Sequence, residues 1–246
     1  HCQAYIGIGK NSDPVEKAVH DTKGLVLTYN DALCTASYSA MCGGHTASAA
    51  EVWDSDGEPY LTGRLDTPTE IGRFDLTREE NVRVWVNSRP EVCCNLEAAG
   101  NPDFGRYAEK YFRWEQRIAR TDLEKSIADY AGASIGQLVD IIPLERGTSG
   151  RLISINCIGT EESVKIRKEL NIRRALSKST LYSACFTIEK EGVKDGLAES
   201  FIFRGAGWGH GVGLCQLGAA VRAKRGDSVS AILKHYYPGT QIKQLY

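Results

Sequence analysis

Apolar and polar positions alternate with period two over several short runs of this chain. Leu25–Tyr29 and Ala32–Ser39 are β-rich and flank Asn30-Asp31; two such runs across a pair of turn formers predict a hairpin. Val139–Leu144 and Arg151–Ile158 flank the polar turn Glu145–Gly150 and read the same way. Leu181–Glu189 alternates as a strand, and Phe201–Arg204 is a short strand feeding a glycine-rich loop. Helical spacing appears in other stretches. Pro14–His20 is a Pro-led turn, and Ser163–Leu170 reads as helical. Tyr107–Ala119 places Tyr111, Trp114 and Ile118 on one helical face, and Asp122–Tyr130 follows with Thr121-Asp122 as its N-cap. Leu214–Arg225 is a helix ended by Gly226; Ser228 caps Val229–Tyr237, and Pro238-Gly239 stops it.

This alternation of strands and helices predicts an α+β fold, a mixed or antiparallel β core with peripheral helices and a helical insertion. Charge density and helical spacing set residues 70–137 apart, so the expected organisation is 1–69, a helical insertion or lobe over 70–137, and 138–246. The 246 residues allow one large or two small domains. A formal net charge of −1 gives no global field to draw nucleic acid. The eight cysteines follow no tight spacing, so composition leaves the redox compartment open. Cys34, Cys157 and Cys185 sit in apolar runs and read as buried small hydrophobes.

The segment most suggestive of chemistry runs from Gly205 to Gly218, with glycines at 205, 207, 209, 211 and 213. That much glycine costs backbone entropy, and a chain keeps it where the backbone bends sharply or approaches something closely. His210 lies inside the loop and Gln216 at the following helix start, where free N–H groups point outward. The segment presents N–H donors, an imidazole and an amide to a polar ligand, or it is a tight turn with a satisfied histidine. It imitates a dinucleotide fingerprint poorly, because Trp208 and His210 are bulky where a pyrophosphate must approach. A second segment, Ala36–Thr46, is a strand through Tyr38 and Ser39 that runs into Cys42-Gly43-Gly44-His45. It shapes a cleft near Tyr38, or it is a Gly-Gly turn; Cys42 and His45 make half a metal site. Ser39 with His45 or His210 would suggest acyl transfer, but no Gly-x-Ser-x-Gly elbow accompanies it. His1-Cys2 is likewise half a metal site or a frayed terminus. Glu51, Asp54, Asp56 and Glu58 surround Trp53, an aromatic near acids that suits a sugar platform or belongs to a solvated acidic turn.

In combination and in order, these segments resemble the SpoIID/LytB (stage II sporulation protein D) family. The resemblance is carried by His1-Cys2-Gln3-x-Tyr5-x-Gly7, Ala18-Val19-x-x-Thr22-x-Gly24, Tyr38-Ser39 with Cys42-Gly43-Gly44-x-Thr46, Glu51-x-Trp53, Pro59-Tyr60-Leu61 and Ser149-Gly150-Arg151. Its tail is Gly209-His210-Gly211-Val212-Gly213-Leu214-Cys215-Gln216-x-Gly218-Ala219, then Ile232-Leu233-x-His235-Tyr236-Tyr237-Pro238-Gly239-Thr240. It implies lytic transglycosylase action on peptidoglycan strands stripped of stem peptides, leaving 1,6-anhydro-MurNAc ends. One carboxylic acid serves as acid and then base in that reaction. The family's catalytic Glu lies in a helix ahead of His-Cys-Gln. The resemblance therefore implies that the chain lacks the start of the domain and is inactive alone. Glu51 is the one acid inside a matching motif and is not assigned as proton donor.

From the resemblance, His210 and Tyr38 are the expected catalytic residues. Ser39, Cys42, Gly43, Gly44, Thr46, Trp53, Trp208, Gly209, Gly211 and Gln216 are expected to bind substrate. No cofactor is required; zinc is allowed in the complete protein, with Cys2 one ligand and its partners upstream. The implied partners are peptidoglycan glycan strands and a cell-wall amidase, in an extracytoplasmic location. The alternative is a non-catalytic peptidoglycan-binding module that recruits or activates such an amidase.

Overall fold

The computed structural model describes residues 12–53, 56–67 and 74–246; the expectations for His1-Cys2 and Asp54 lie outside them. Chain contacts divide the molecule into two compact units. One draws on residues up to Thr35 together with Gly239–Tyr246, and the other is Ala36–Pro238. Among the described residues no helix is long and apolar enough to cross a membrane.

The first unit holds helix α1 (Asp13–Asp21), β1 (Leu25–Tyr29) and β2 (Ala32–Leu33), with β11 (Gln241–Gln244) closing a three-stranded sheet in the order β11-β1-β2. The hairpin turns where Asn30 and Asp31 take positive φ, 47° and 65°, the conformation that a two-residue turn needs to match strand twist. The expected second strand is shorter than predicted. Pairing with β1 ends at Leu33, and Tyr38–Ser39 forms a separate strand, β3, in the larger unit.

That larger unit begins with β3 and the short helix α2 (Ala49–Val52), followed by α3 (Glu79–Asn87), a 3-10 helix (Arg106–Tyr111), β4 (Arg113–Ala119) and α4 (Arg120–Ala131). Then come β5 (Leu138–Arg146), β6 (Leu152–Gly159), β7 (Ser163–Arg167), α5 (Glu169–Ala175), β8 (Phe186–Glu191) and β9 (Ser200–Ala206). β10 (Leu214–Cys215), α6 (Gln216–Lys224) and α7 (Val229–Tyr236) end the unit. Two antiparallel sheets, β4-β9-β8 and β5-β6-β7, share a core that buries Trp114, Leu123, Ile127, Ile155, Phe186, Phe201 and Phe203. Each such side chain contributes roughly 1.5–3 kcal/mol on leaving water. β3 and β10 form a parallel pair and Ala47 bridges Val212 in parallel, so the fold is α+β with antiparallel sheets and a parallel pairing at the glycine loop.

Two helical expectations give way to strands. Arg113–Ala119 is strand β4, because its burial alternates with period two once β9 supplies a partner along its whole length. The helical face through Tyr111, Trp114 and Ile118 was a coincidence of spacing. Ser163–Arg167 is strand β7, paired with β6; Lys168 then takes φ 71° and the chain enters α5 one residue later. The predicted C-terminal helix holds, with Ser228 Oγ accepting the Ala231 N–H as its cap. Cys157 and Cys185 are buried as expected, whereas Cys34 is only half-buried.

Candidate functional site

The two glycine-bearing segments meet. β3 and β10 run side by side with Tyr38 opposite Leu214 and Ser39 opposite Cys215. Met41 and Trp208 exchange both backbone hydrogen bonds, at 3.1 and 2.8 Å, and the Ala47 N–H donates to the Gly211 carbonyl at 2.9 Å. The Gly207 N–H donates to the Tyr111 carbonyl and the Gly209 N–H to the Tyr182 carbonyl. The glycine loop is therefore stitched on both sides by backbone. This explains the alternation at its tightest points: a Cβ on Gly213 would lie 2.0 Å from the Ser37 carbonyl oxygen, and one on Gly211 2.4 Å from Arg151 Cζ, both at positive φ.

An aromatic face follows from this stitching. The Trp208 and Tyr111 rings stack with centroids 4.2 Å apart, and Tyr182 packs edge-on to Tyr111 at 4.7 Å. Lys110 Nζ sits 5.0 Å above the Tyr111 ring. Trp53 lies 5.2 Å from the His210 ring. Tyr38 and Trp53 are each 37% exposed, and Trp208, Gly209, His210 and Gln216 are half-buried. The other expected site residues stand behind this surface. Ser39, Cys42, Gly43, Gly44, Thr46 and Gly211 are buried; Thr46 Oγ1 is engaged with the Arg64 backbone. They shape the backbone that carries the exposed residues.

His210 Nδ1 accepts the Val212 N–H at 3.0 Å, so the remaining ring nitrogen carries the proton and the Tyr38 backbone is its partner. Burial, together with the Arg151 guanidinium, lowers the His210 pKa from 6.5 to about 4. His45 is lowered to about 4 as well, again chiefly by burial, with Arg151 and Arg64 adding to it. Both imidazoles are neutral at neutral pH. His210 latches the glycine loop to β3 as a neutral ring. His45, Arg64, Phe74 and Thr148 line a separate cleft of about 600 Å³. Glu51 accepts hydrogen bonds from the Thr148 N–H and hydroxyl at 2.9 and 3.2 Å, which engages its carboxylate with the 147–148 turn.

Several residues of the region escaped sequence reasoning. Arg151 is buried, donates to the Cys42 and His45 carbonyls at 3.0 and 3.2 Å, and packs under Gly211. Its place in Ser149-Gly150-Arg151 was the available signal. Tyr111 and Tyr182 carried no signal, because their role depends on where the glycine loop lands. Cys42 does not pair with His45; its sulfur lies among those of Cys94 and Cys215.

A family model described as "Domain of unknown function (DUF8618)" matches residues 47–213. The chain is 31% identical to the amidase enhancer of Bacillus subtilis (strain 168) over 98% of this chain and 34% of that protein. It is 26% identical to stage II sporulation protein D of the same organism over 94% of this chain and 51% of that protein. The stage II sporulation protein D of Bacillus amyloliquefaciens is 25% identical over 96% of this chain and 52% of its own length. The chain spans about half the length of these relatives or less. By the match over residues 47–213 and these relatives, the chain belongs to the SpoIID/LytB family and carries that family model's domain.

Proposed function

We propose that the face built from Tyr38, Trp53, Trp208 and Tyr111 holds a peptidoglycan glycan strand outside the cytoplasmic membrane, in a protein that cleaves the strand as a lytic transglycosylase. The observation that carries this reading is the juxtaposition of two partly exposed aromatic pairs on one stitched backbone: Trp53 against His210 and Trp208 against Tyr111. Flat sugar faces stack on such rings, and the half-buried loop backbone and the Tyr38 phenol offer polar contacts beside them. In this proposal Tyr38 touches the strand. His210 is a positioning residue, which fixes Tyr38 and the loop as a neutral imidazole. In this reaction a carboxylic acid protonates the glycosidic oxygen as its bond to C1 breaks, and the carboxylate then deprotonates the muramoyl C6 hydroxyl, which attacks C1 and gives the 1,6-anhydro end.

The test is sedimentation with denuded glycan strands, followed by mass spectrometry of the digest made by the complete protein. The chain is expected to co-sediment, and Trp208→Ala to weaken binding about 10-fold, as the loss of one stacked ring does. In the complete protein, His210→Ala lowers kcat while His210→Gln restores part of it. Absence of binding, or equal activity in all variants, rejects the reading. A second reading is favoured by the relative named an amidase enhancer: a non-catalytic module that holds glycan while recruiting or activating an amidase. Binding without anhydro products, together with stimulated amidase turnover, selects it.

A further inference from the structure

The Cys42, Cys94 and Cys215 sulfurs all lie within 4.8 Å of one another, and all three residues are buried. Cys42 and Cys94 Sγ are 3.8 Å apart, and Asp66 Oδ2 is 3.6 Å from Cys42 Sγ. Asp66 is fully buried. A tetrahedral zinc centre with Zn–S about 2.3 Å and Zn–O about 2.0 Å has S–S edges of about 3.8 Å and S–O edges of about 3.5 Å. The Cys42–Cys94 and Cys42–Asp66 separations match those edges, and the Cys215 sulfur lies within 4.8 Å of the other two; a disulfide would need sulfurs about 2.05 Å apart.

We infer that the Cys42, Cys94 and Cys215 sulfurs form a buried structural site for zinc or a zinc-like divalent cation, with the Asp66 carboxylate beside Cys42 as the group that completes it. The surroundings suit bound thiolates. Cys215 Sγ accepts the N–H groups of Cys42 and Gly218, each at 3.3 Å, and Cys42 Sγ accepts that of Gly44 at 3.4 Å. Cys215 also caps the N-terminus of α6, whose dipole favours negative charge there.

Asp66 is oriented from behind, as metal-bound carboxylates are. Tyr236 Oη donates to Oδ2 at 2.9 Å, Arg222 donates to Oδ1 at 3.3 Å, and His235 Nε2 lies 3.3 Å from Oδ1. Gly218 leaves room for the carboxylate, since a Cβ there would sit 2.2 Å from Oδ2. The cluster with its ion would carry excess negative charge. Arg222 offsets it at Asp66, and Arg113 sits beside the Gly43 carbonyl next to Cys42. Arg113 gives its hydrogen bonds to the carbonyls of Ser88, Gly43 and Phe112.

Such an ion ties together four points distant in sequence: the Gly43-Gly44 bend, Asp66, the Cys94 loop and the junction of the glycine loop with α6. Each tie is absent from the unfolded chain, so ion binding adds directly to folding. The site is made without Cys2, which sets it apart from the zinc allowed by the family resemblance.

The experiment uses the full chain purified without chelator and analysed by mass spectrometry for metal. About one ion per chain is expected, retained in Cys2→Ser and Cys157→Ser and lost in Cys94→Ser and Cys215→Ser. Chelation should lower Tm by about 10 °C, with zinc restoring it. Cobalt in place of zinc should give the visible bands of a tetrahedral ion and thiolate charge-transfer bands in the wild-type chain, a readout that does not depend on whether a variant folds. A wild-type chain that binds neither zinc nor cobalt overturns the inference. So does one whose intact mass is about 2 Da low from a Cys42–Cys94 disulfide, or one whose metal disappears with Cys2→Ser alone.

Discussion

Acid should loosen this protein through two histidines, and the size of the effect follows from their surroundings. His45 and His210 titrate at about 4 when folded, against 6.5 for an unperturbed imidazole. Between those values the unfolded chain binds protons that the folded chain refuses. Stability from these rings is therefore complete above pH 6.5 and is lost as pH falls toward 4. At pH 5 the difference amounts to about 2 kcal/mol for each ring if the shift is taken at full strength. Both rings are partly exposed, so about half survives solvent screening, or about 2 kcal/mol for the pair. In a chain of this size that lowers Tm by about 4–8 °C between pH 7.5 and pH 5. Thermal unfolding followed by circular dichroism measures it, with the double variant His45→Gln, His210→Gln beside the wild type. The double variant should lose less than half as much stability over the same interval. A flat wild-type profile, or equal losses in the two proteins, would refute the claim that these half-buried imidazoles are held neutral by the fold.

Two further perturbations probe the same scaffold. Gly211→Ala combines a positive φ of 79° with a Cβ 2.4 Å from the buried Arg151 guanidinium, and should cost at least about 3 kcal/mol in urea unfolding. Gly226→Ala, at φ 98° with nothing within 4 Å of its Cβ, should cost only about 1–2 kcal/mol; equal costs would remove the close-approach argument. Arg151→Met strips the donor from the Cys42 and His45 carbonyls and should destabilise the fold by about 2–4 kcal/mol. It also removes a positive charge that disfavours protonation of both imidazoles, so the remaining stability should depend less on pH between 7.5 and 5. An unchanged pH dependence would show that burial alone sets those values.

Local pattern determined much of this molecule. The Asn30-Asp31 hairpin, the β5–β6 pair and the Ser228-capped helix depend on turn chemistry, side-chain alternation and capping, which act over a few residues and are written in consecutive positions. The family motifs also marked the two segments that meet, since so many glycines at alternate positions had to serve a close approach. What periodicity could not decide was Arg113–Ala119, where helical and strand spacing coexist and the partner strand β9, more than eighty positions later, settles the choice.

The site itself was decided by tertiary structure. Sequence named His210 but not its role; that role depends on Val212 and Tyr38 holding both ring nitrogens in a half-buried place. It named Trp208 but not Tyr111, whose stacking exists only because the loop is stitched to the Tyr111 carbonyl. It paired Cys42 with the nearby His45, whereas folding brought Cys94, Cys215 and the buried Asp66 to that sulfur. Residue identity and spacing carry the chemistry that is available. Burial, long-range proximity and the field of a neighbouring guanidinium are properties of the packed chain, and those set what each group does.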